Sequence, residues 1–427
     1  MISEVAAVTL SIADLERARR VFVDGLGFGL EHSWELDDDV EQARLWGVKA
    51  PLRGRALFLR QPGAPFGALR VVALDPSSLH CVGDGAQPYD HGYLKNLDFF
   101  TDDVEGVCAR LEGQGVEFLG PPVEYALPWG GQKVTEAHTR KIEGFKLAVA
   151  RLEGAPRKAM GEASPFGVAT EVAAATQIVG DYDRAVDFYT RVFDCVPAAE
   201  TVVDDPALIG ALHLPEGTRL RMCFIGHTTA IGGKIGLVAY EGPALAGRRA
   251  VEFGSRPSHR GAVALTFETD EIDSRHARAL AGGATEVTPP GDATLPPWGA
   301  VRASSFLSPD GVLHELIDRR GSLDWFSVLE ASALEEGSMR GIPNVLPWGR
   351  VLLARLAGRV LAWRDRCPHA GAPLSHGRIE GDVVTCPWHA WRIDLVTGCV
   401  AGGRGSAISS VPVRERAGQL ELGRPRN

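Results

Sequence analysis

The stretch RDRCPHAGAPLSHG (364–377), followed by VVTCPWHAWRIDLVTG (383–398), decides how this chain is read. Each segment offers one sulfur and one nitrogen on a short loop: Cys367 and His369, then, after sixteen intervening residues, Cys386 and His389. Two thiolates and two imidazoles suit a tetrahedral zinc ion or an iron–sulfur centre, so ligand count alone leaves both open. Pro368 and Pro387 fix φ inside the loops and stiffen the donors, and Trp388 is expected to shield what they hold.

The arrangement around the four donors closely resembles the Rieske-type [2Fe–2S] family, over roughly residues 323–424. The resemblance implies one [2Fe–2S] cluster per chain, with Cys367 and Cys386 on one iron and His369 and His389 on the other. Respiratory-type members of that family carry an extra cysteine in each loop, joined as a disulfide, and a serine after the second histidine. Ala372, Trp388 and Ala390 stand in those places here. Without the crosslink and the hydroxyl donor the reduced cluster is less stabilised, so a potential on the order of −150 mV is expected. His376 also lies in the loops, but the donor set is complete without it, and it is read as an exposed loop residue.

A chain of 427 residues has room for about three domains. Its 45% hydrophobic and 23% charged residues are ordinary for soluble globular proteins. A net charge of −9 argues against a nucleic-acid partner, which calls for a basic stripe. The remaining cysteines (Cys81, Cys108, Cys195, Cys223 and Cys399) are scattered singly and form no disulfide framework, as suits a reducing cytoplasm. The N-terminal MISEVAAVTLSIADLERA lacks a basic n-region and is not read as a signal peptide. VLLARLAGRVLAW (351–363) is interrupted by two arginines, so no membrane span is expected and the expected location is cytoplasmic.

The first three quarters of the chain is one unit written twice, at an offset of about 168 residues. Glu4-Val-Ala-Ala-Val-Thr9, with Asp14 and Arg17-Ala18, recurs as Glu171-Val-Ala-Ala-Ala-Thr176, with Asp181 and Arg184-Ala185. Phe99-Phe-Thr-Asp-Asp103 recurs as Phe267-Glu-Thr-Asp-Glu271, and Leu127-Pro-Trp129 as Leu295-Pro-Pro-Trp298. Val8, Leu10 and Ile12 alternate as in a strand. Asp14 then fits an N-cap before a helix that ends at Gly25 and Gly27, and Asp181 repeats the pattern. GEASPFG (161–167) has the small residues and proline of a linker.

A strand–helix–three-strand module, paired and then duplicated, resembles the vicinal oxygen chelate superfamily, which includes glyoxalases, bleomycin-resistance proteins and extradiol dioxygenases. DLERARRVFVDGLGF (14–28), DYDRAVDFYTRVFDC (181–195) and PPWGAVRASSFLSPDGVLHELID (296–318) carry the likeness. The implied architecture is α+β: two tandem vicinal oxygen chelate domains of paired βαβββ modules (1–152 and 166–319, linker 153–165), then an all-β Rieske domain (323–424). Each of the first two is expected to form its own eight-stranded sheet, curled around a cup for a small ligand.

Metal-dependent members of that superfamily hold an ion in the cup with two histidines and a glutamate. The matching histidine positions are Ala7, Asn96, Ala174 and Ala264, and the glutamate positions are Ala148 and Glu315. One ligand of the usual three or so survives, so an additional mononuclear metal is not expected. His91 and His259 share the repeat offset and are read as loop polarity. His314 neighbours Glu315 on a strand and should point to the opposite face. Trp129 and Trp298 could stack on an aromatic ligand or simply pack, and Glu315 could act as a base or hydrogen-bond acceptor.

Only 38 residues follow His389 and they contain no histidine, so no downstream iron domain of the terminal-oxygenase kind fits. The combination points to an iron–sulfur redox protein whose cups bind a small apolar or aromatic compound. A flavoprotein reductase or a ferredoxin is the expected electron donor, and either a partner oxygenase or a cup-bound substrate the acceptor. Two other readings stay open at this level: a dioxygenase whose iron uses atypical ligands such as Glu315 and His259, and a non-enzymatic redox sensor.

Overall fold

A computed structural model describes residues 2–62, 64, 66–128, 132–153, 168–226, 232–319, 323–345, 349–369, 371–396, 398, 400, 408 and 410–425. The chain divides into two compact units, one reaching Asp318 and the other beginning at Arg319. Trp129, Cys399 and most of the linker at 153–165 lie outside the described residues.

The first unit contains the four expected modules. Module one supplies β1 (Ile2–Ser11), β2 (Gly29–Asp39), β3 (Leu52–Arg60) and β4 (Ala68–Leu74). Module two supplies β5 (Tyr93–Phe100), β6 (Val123–Ala126), β7 (Lys133–His138) and β8 (Lys146–Leu152). Module three supplies β9 (Ala174–Ile178), β10 (Val196–Val203), β11 (Arg219–Gly226) and β12 (Lys234–Glu241). Module four supplies β13 (Gly261–Thr269), β14 (Thr285–Leu295), β15 (Gly299–Leu307) and β16 (Leu313–Asp318).

Helices follow the first strand of each module; the expected caps at Asp14 and Asp181 form, and Asp103 adds another. Asp14 accepts from the Glu16 backbone N–H at 2.9 Å, Asp181 from Arg184 at 3.0 Å and Asp103 from Gly106 at 2.8 Å. The helix Tyr182–Phe193 buries Tyr182, Ala185, Phe188, Tyr189, Val192 and Phe193 along one stripe, as its sequence periodicity requires. Leu15–Ala18 starts as an α-helix and widens into a π-type segment over Arg19–Gly25. Gly27 follows with φ of +82°, a conformation that costs glycine little.

The sheets correct one expectation. Each sheet has eight strands, but neither belongs to a single sequence copy. One runs β14-β15-β16-β13-β1-β4-β3-β2 and joins module four to module one; the other runs β10-β11-β12-β9-β5-β8-β7-β6 and joins module three to module two. The joints are antiparallel pairs of first strands, Ala7 opposite Thr266 and Thr9 opposite Ala264, and likewise Asn96 opposite Thr176 and Asp98 opposite Ala174. The boundaries 1–152 and 166–319 therefore mark the repeat in the sequence, while the sheets are built across them. The hydrophobic pattern of a module is the same whichever partner it takes, so periodicity cannot choose between the two pairings.

One face of each sheet packs into a shared core that draws Phe22, Phe99, Phe145, Phe193, Phe267 and Phe306 from all four modules. His314 faces this core, stacked between Phe267 and Phe306, on the opposite side of its strand from Glu315, as expected. Its Nδ1 lies 2.9 Å from the Val312 carbonyl and its Nε2 2.9 Å from the Tyr189 hydroxyl, and burial pulls its pKa down to about 4. It is thus a neutral packing residue. The other face of each sheet forms a cup with its own apolar cluster.

The second unit is β-rich. It has three small antiparallel sheets: β17 (Leu323–Glu330) with β24 (Val413–Arg416) and β25 (Gln419–Pro425); β18 (Ser338–Val345) with β19 (Gly349–Leu356) and β20 (Arg359–Arg364); and β21 (Arg378–Glu380) with β22 (Val383–Thr385) and β23 (Arg392–Asp394). Val351, Leu353, Ala362, Leu420 and Leu422 are in its core.

Candidate metal centre

The two loops of the opening motif leave different strands and are fixed before they reach their donors. The first loop follows β20 through Asp365, a buried carboxylate that accepts from Arg350 Nε at 2.7 Å, from the Ser375 N–H at 2.7 Å and from the Ser375 hydroxyl. The Cys367 N–H donates to Ala372 O at 2.8 Å and the Gly371 N–H to Cys367 O at 2.8 Å, closing a tight turn around His369. The second loop follows β22: the Cys386 N–H donates to Trp391 O at 2.7 Å and the Ala390 N–H to Cys386 O at 3.1 Å. Gly377 lets the loops approach, since a Cβ there would lie 2.1 Å from the Thr385 carbonyl oxygen, just before Cys386.

This scaffold sorts the donors by kind. Cys367 and Cys386 are each only 2% exposed, whereas His369 and His389 are exposed. The two imidazoles turn Nδ1 toward Nδ1 at 3.2 Å, with ring centroids 4.5 Å apart and planes at 84°. That separation is close to the edge of a tetrahedral site with metal–nitrogen bonds of about 2.1 Å. Two thiols and two imidazoles are the donor set of a [2Fe–2S] centre with sulfur ligands on one iron and nitrogen ligands on the other, and the residues present fit such a group.

Two expectations about the surroundings change. Trp388 does not shield the loops; it is 61% exposed. Trp391 instead stacks on His369, centroids 4.7 Å apart and planes at 15°. His376 is exposed, as read, but its Nε2 accepts from Arg350 Nη2 at 3.0 Å, joining it to the Asp365 network behind the first loop.

The first cup, on the module-one/module-four sheet, has no room for an ion. Glu315 is fully buried, and its carboxylate accepts from Arg70 Nη2 at 2.8 and 2.6 Å, Trp46 Nε1 at 2.7 Å, Gln42 Nε2 at 3.4 Å and the Thr266 hydroxyl. Arg70 is 1% exposed, also donates to Thr9 Oγ1 at 3.0 and 2.7 Å, and lies 5.3 Å from the ring centroids of both Trp46 and Trp298. Strand register explains the encounter: Arg70 pairs with Thr9 as Glu315 pairs with Thr266, so the two occupy matching positions. Ala7 and Ala264 add no donor. A guanidinium has taken the place of a cation, and the residues present do not fit a metal there. Trp298 is buried, edge-on to Phe58 at 5.7 Å, and donates to Glu268 Oε1 at 3.1 Å. It is placed as a packing residue.

The second cup, on the module-two/module-three sheet, is more polar. Asp98, on β5, is pushed by burial up to about 7 and accepts from the Thr176 hydroxyl. Glu136 accepts from the Tyr125 hydroxyl at 2.7 Å and lies 3.2 Å from His138. Asn96 Oδ1 and His138 Nδ1 are buried without a hydrogen-bond partner among the described residues. Sequence reading noted only Asn96 here. Ala148 and Ala174 stand at the expected ligand positions and carry no donor.

His91 and His259 lie in neither cup. Both line a cleft of about 490 Å³, together with Arg184, Arg256 and Asp310. His259 Nδ1 is bonded to the Gly254 carbonyl at 2.9 Å. Glu315 and His259 are thus not brought to one site, and the dioxygenase reading that paired them loses its ligands.

Two family models match the chain. The family model described as Rieske [2Fe-2S] domain matches residues 324–412, and that of the Glyoxalase/Bleomycin resistance protein/Dioxygenase superfamily matches 171–316. Ferredoxin CarAc of Metapseudomonas resinovorans is 35% identical over 79 residues, 18% of this chain and 71% of the ferredoxin. Apoptosis-inducing factor 3 of Mus musculus is 40% identical over 72 residues, 17% of this chain; the match spans only 12% of that relative. Among solved structures, glyoxalase I from Zea mays aligns over 75% of this chain and 93% of its own, at 14% identity and a TM-score of 0.49. Among the described residues no helix is long and apolar enough to cross a membrane.

Proposed function

We propose, for a chain that belongs to the Rieske [2Fe–2S] family through its C-terminal unit and carries a glyoxalase-superfamily unit before it, that the two together serve an oxygenase-type redox reaction on a small molecule. Cys367 and Cys386 would hold one iron of the cluster, and His369 and His389 the other. Bound there, the cluster supplies one-electron transfer and nothing more. The surrounding residues do the rest. The buried cysteine end excludes water, Trp391 fixes the His369 ring, and the Asp365–Ser375–Arg350 network holds the first loop against the second. The exposed histidine end is the path for electrons.

The observation that carries this reading is the convergence of two exposed imidazole Nδ1 atoms at 3.2 Å, from the same two loops that bury Cys367 and Cys386. The electron donor would be a flavoprotein reductase or a ferredoxin, and the acceptor a partner oxygenase or a compound held in a cup. We place the small-molecule site in the second cup. The first is taken up by the Arg70–Glu315 pair, whereas the unpartnered Asn96 Oδ1 and His138 Nδ1 of the second call for a hydrogen-bonding occupant. A small aromatic or apolar compound with one polar handle meets that description. Iron, zinc and acid-labile sulfide should be counted in the anaerobically purified chain. Two irons and two sulfides per chain are expected; one zinc in their place, or a third tightly bound metal, would overturn the proposal.

A further inference from the structure

We infer that the second cup takes an organic cation, a compound that offers an ammonium, amidinium or guanidinium group to Asp98 and Glu136. The inference rests on the placement of the small-molecule site in that cup. The first cup supplies the comparison, because strand register matches the two position by position. Arg70 stands opposite Thr9 on its sheet, and Gly236 opposite Thr176 on the other. Glu315 stands opposite Thr266, and Ala148 opposite Asp98. The second cup thus lacks both side chains of the ion pair that fills the first, and it has an acid at the place of Thr266. On the neighbouring strand, Ala303 and Ser305 stand opposite Ile317 and Glu315, and their places are taken by Glu136 and His138, opposite Ala150 and Ala148.

What the second cup has gained is acceptors. Asp98 accepts from the Thr176 hydroxyl, and the charged group acting on it is Glu136, a second acid. Among the described residues Asp98 forms no ion pair, whereas Glu315 in the first cup has Arg70 at 2.6 Å. Asn96 stands opposite Thr176 where the first cup has Ala264 opposite Thr9. It is 9% exposed, and its Oδ1 accepts no hydrogen bond among the described residues. The lysines of this region are engaged elsewhere. Lys95 Nζ donates to Pro88 O at 2.6 Å and to the Tyr240 hydroxyl at 2.9 Å. Lys146 lies in the field of Lys141 and Arg140 and pairs with neither acid. Buried acceptors without donors call for a ligand that brings N–H groups, and an unpaired acid for one that brings positive charge. The first cup shows what satisfies such a set: a planar cation against two indole rings, with its N–H groups on a carboxylate. In the second cup that cation comes from outside the chain. Asp98 and Glu136 both keep partial exposure, so a compound can reach them, and Tyr125 and Tyr240 give its body rings to lie against.

Three compounds of one shape and different charge test this: benzamidine, a cation; benzamide, neutral; and benzoate, an anion. Each is titrated by calorimetry into the full-length protein with its cluster, at about pH 8, where the amidine is protonated and Asp98 is largely ionised. Benzamidine should bind at least about tenfold more tightly than benzamide, and benzoate should bind least of the three. Asp98→Asn should remove the advantage of benzamidine and leave benzamide unchanged. Ala148→Leu, which fills the place opposite Asp98, should weaken both. Three results would each overturn the cation class: benzamide or benzoate binding as tightly as benzamidine, no benzamidine binding at millimolar concentration, or an advantage that survives Asp98→Asn. The series on the parent protein decides the matter without either variant. Benzamidine binding that Ala148→Leu leaves untouched would instead place the compound outside the second cup and contradict the reading on which the inference rests.

Discussion

Glu315→Gln tests the claim that an ion pair, and not a metal, organises the first cup. The substitution keeps the shape of the side chain and leaves the Arg70 charge buried without its counterion. Breaking one side of a buried pair costs about 3–5 kcal/mol. Arg70 would keep its bonds to Thr9 and its place between the rings of Trp46 and Trp298, which favours the lower end, about 3 kcal/mol. With a urea dependence of about 3 kcal/mol per molar, the unfolding midpoint should fall by about 1 M. Far-UV circular dichroism follows the transition, and the visible cluster absorption identifies the part that belongs to the second unit. Arg70→Met with Glu315→Met should recover most of the loss, because removing both charges removes the uncompensated one. A midpoint that moves by less than the equivalent of about 1 kcal/mol in Glu315→Gln, or a double variant no better than the single, would refute the reasoning.

Three further outcomes follow from the same structure. Cys367→Ser should abolish the visible absorption of the cluster while the circular dichroism of the first unit persists; loss of both together would show that the units do not fold separately. The reduction potential should fall on the order of −150 mV, since Ala390 offers no hydroxyl and the loops no disulfide; a value well above 0 mV would contradict that placement. Asp98, raised to about 7 in the folded chain against about 3.9 unfolded, contributes stability that is fully present below about pH 4. That contribution, up to about 4 kcal/mol, is lost as pH rises to about 7. Urea midpoints between pH 4 and 8 should show this decline in the parent, and Asp98→Asn should flatten it.

The local chemistry of the chain was legible because it repeats known physical needs. Asp14 and Asp181 precede helices whose first N–H groups lack partners, and Cys367, His369, Cys386 and His389 lie at a spacing that brings two loops together. Partner choice between modules was not legible, because Val8 and Leu10 alternate identically whichever strand lies beside them. Arg70 escaped for a narrower reason. The expected glutamate positions, Ala148 and Glu315, lie on the last strands of modules two and four, whereas Arg70 lies on the last strand of module one. A lone arginine inside ALRVVAL was the available signal: such a charge in a buried strand demands a counterion. Trp388 and Trp391 were confused because both flank His389 within two residues, and only the Cys386–Trp391 turn shows which ring folds back over His369.

The pairing of β1 with β13 sets a timetable for synthesis. β1 leaves the ribosome well before its antiparallel neighbour β13, whose Thr269, opposite Ile2, is made more than 260 residues later. At common elongation rates of about 5–20 residues per second, that is a wait of roughly 13–55 s. During it β1 has only β4 beside it, and an apolar strand that ends up in the middle of a sheet is an open edge. The sheet of modules two and three can close while module four is still being made. The sheet of modules one and four cannot, so the nascent chain is most vulnerable to aggregation in the interval before Gly261–Thr269 emerges.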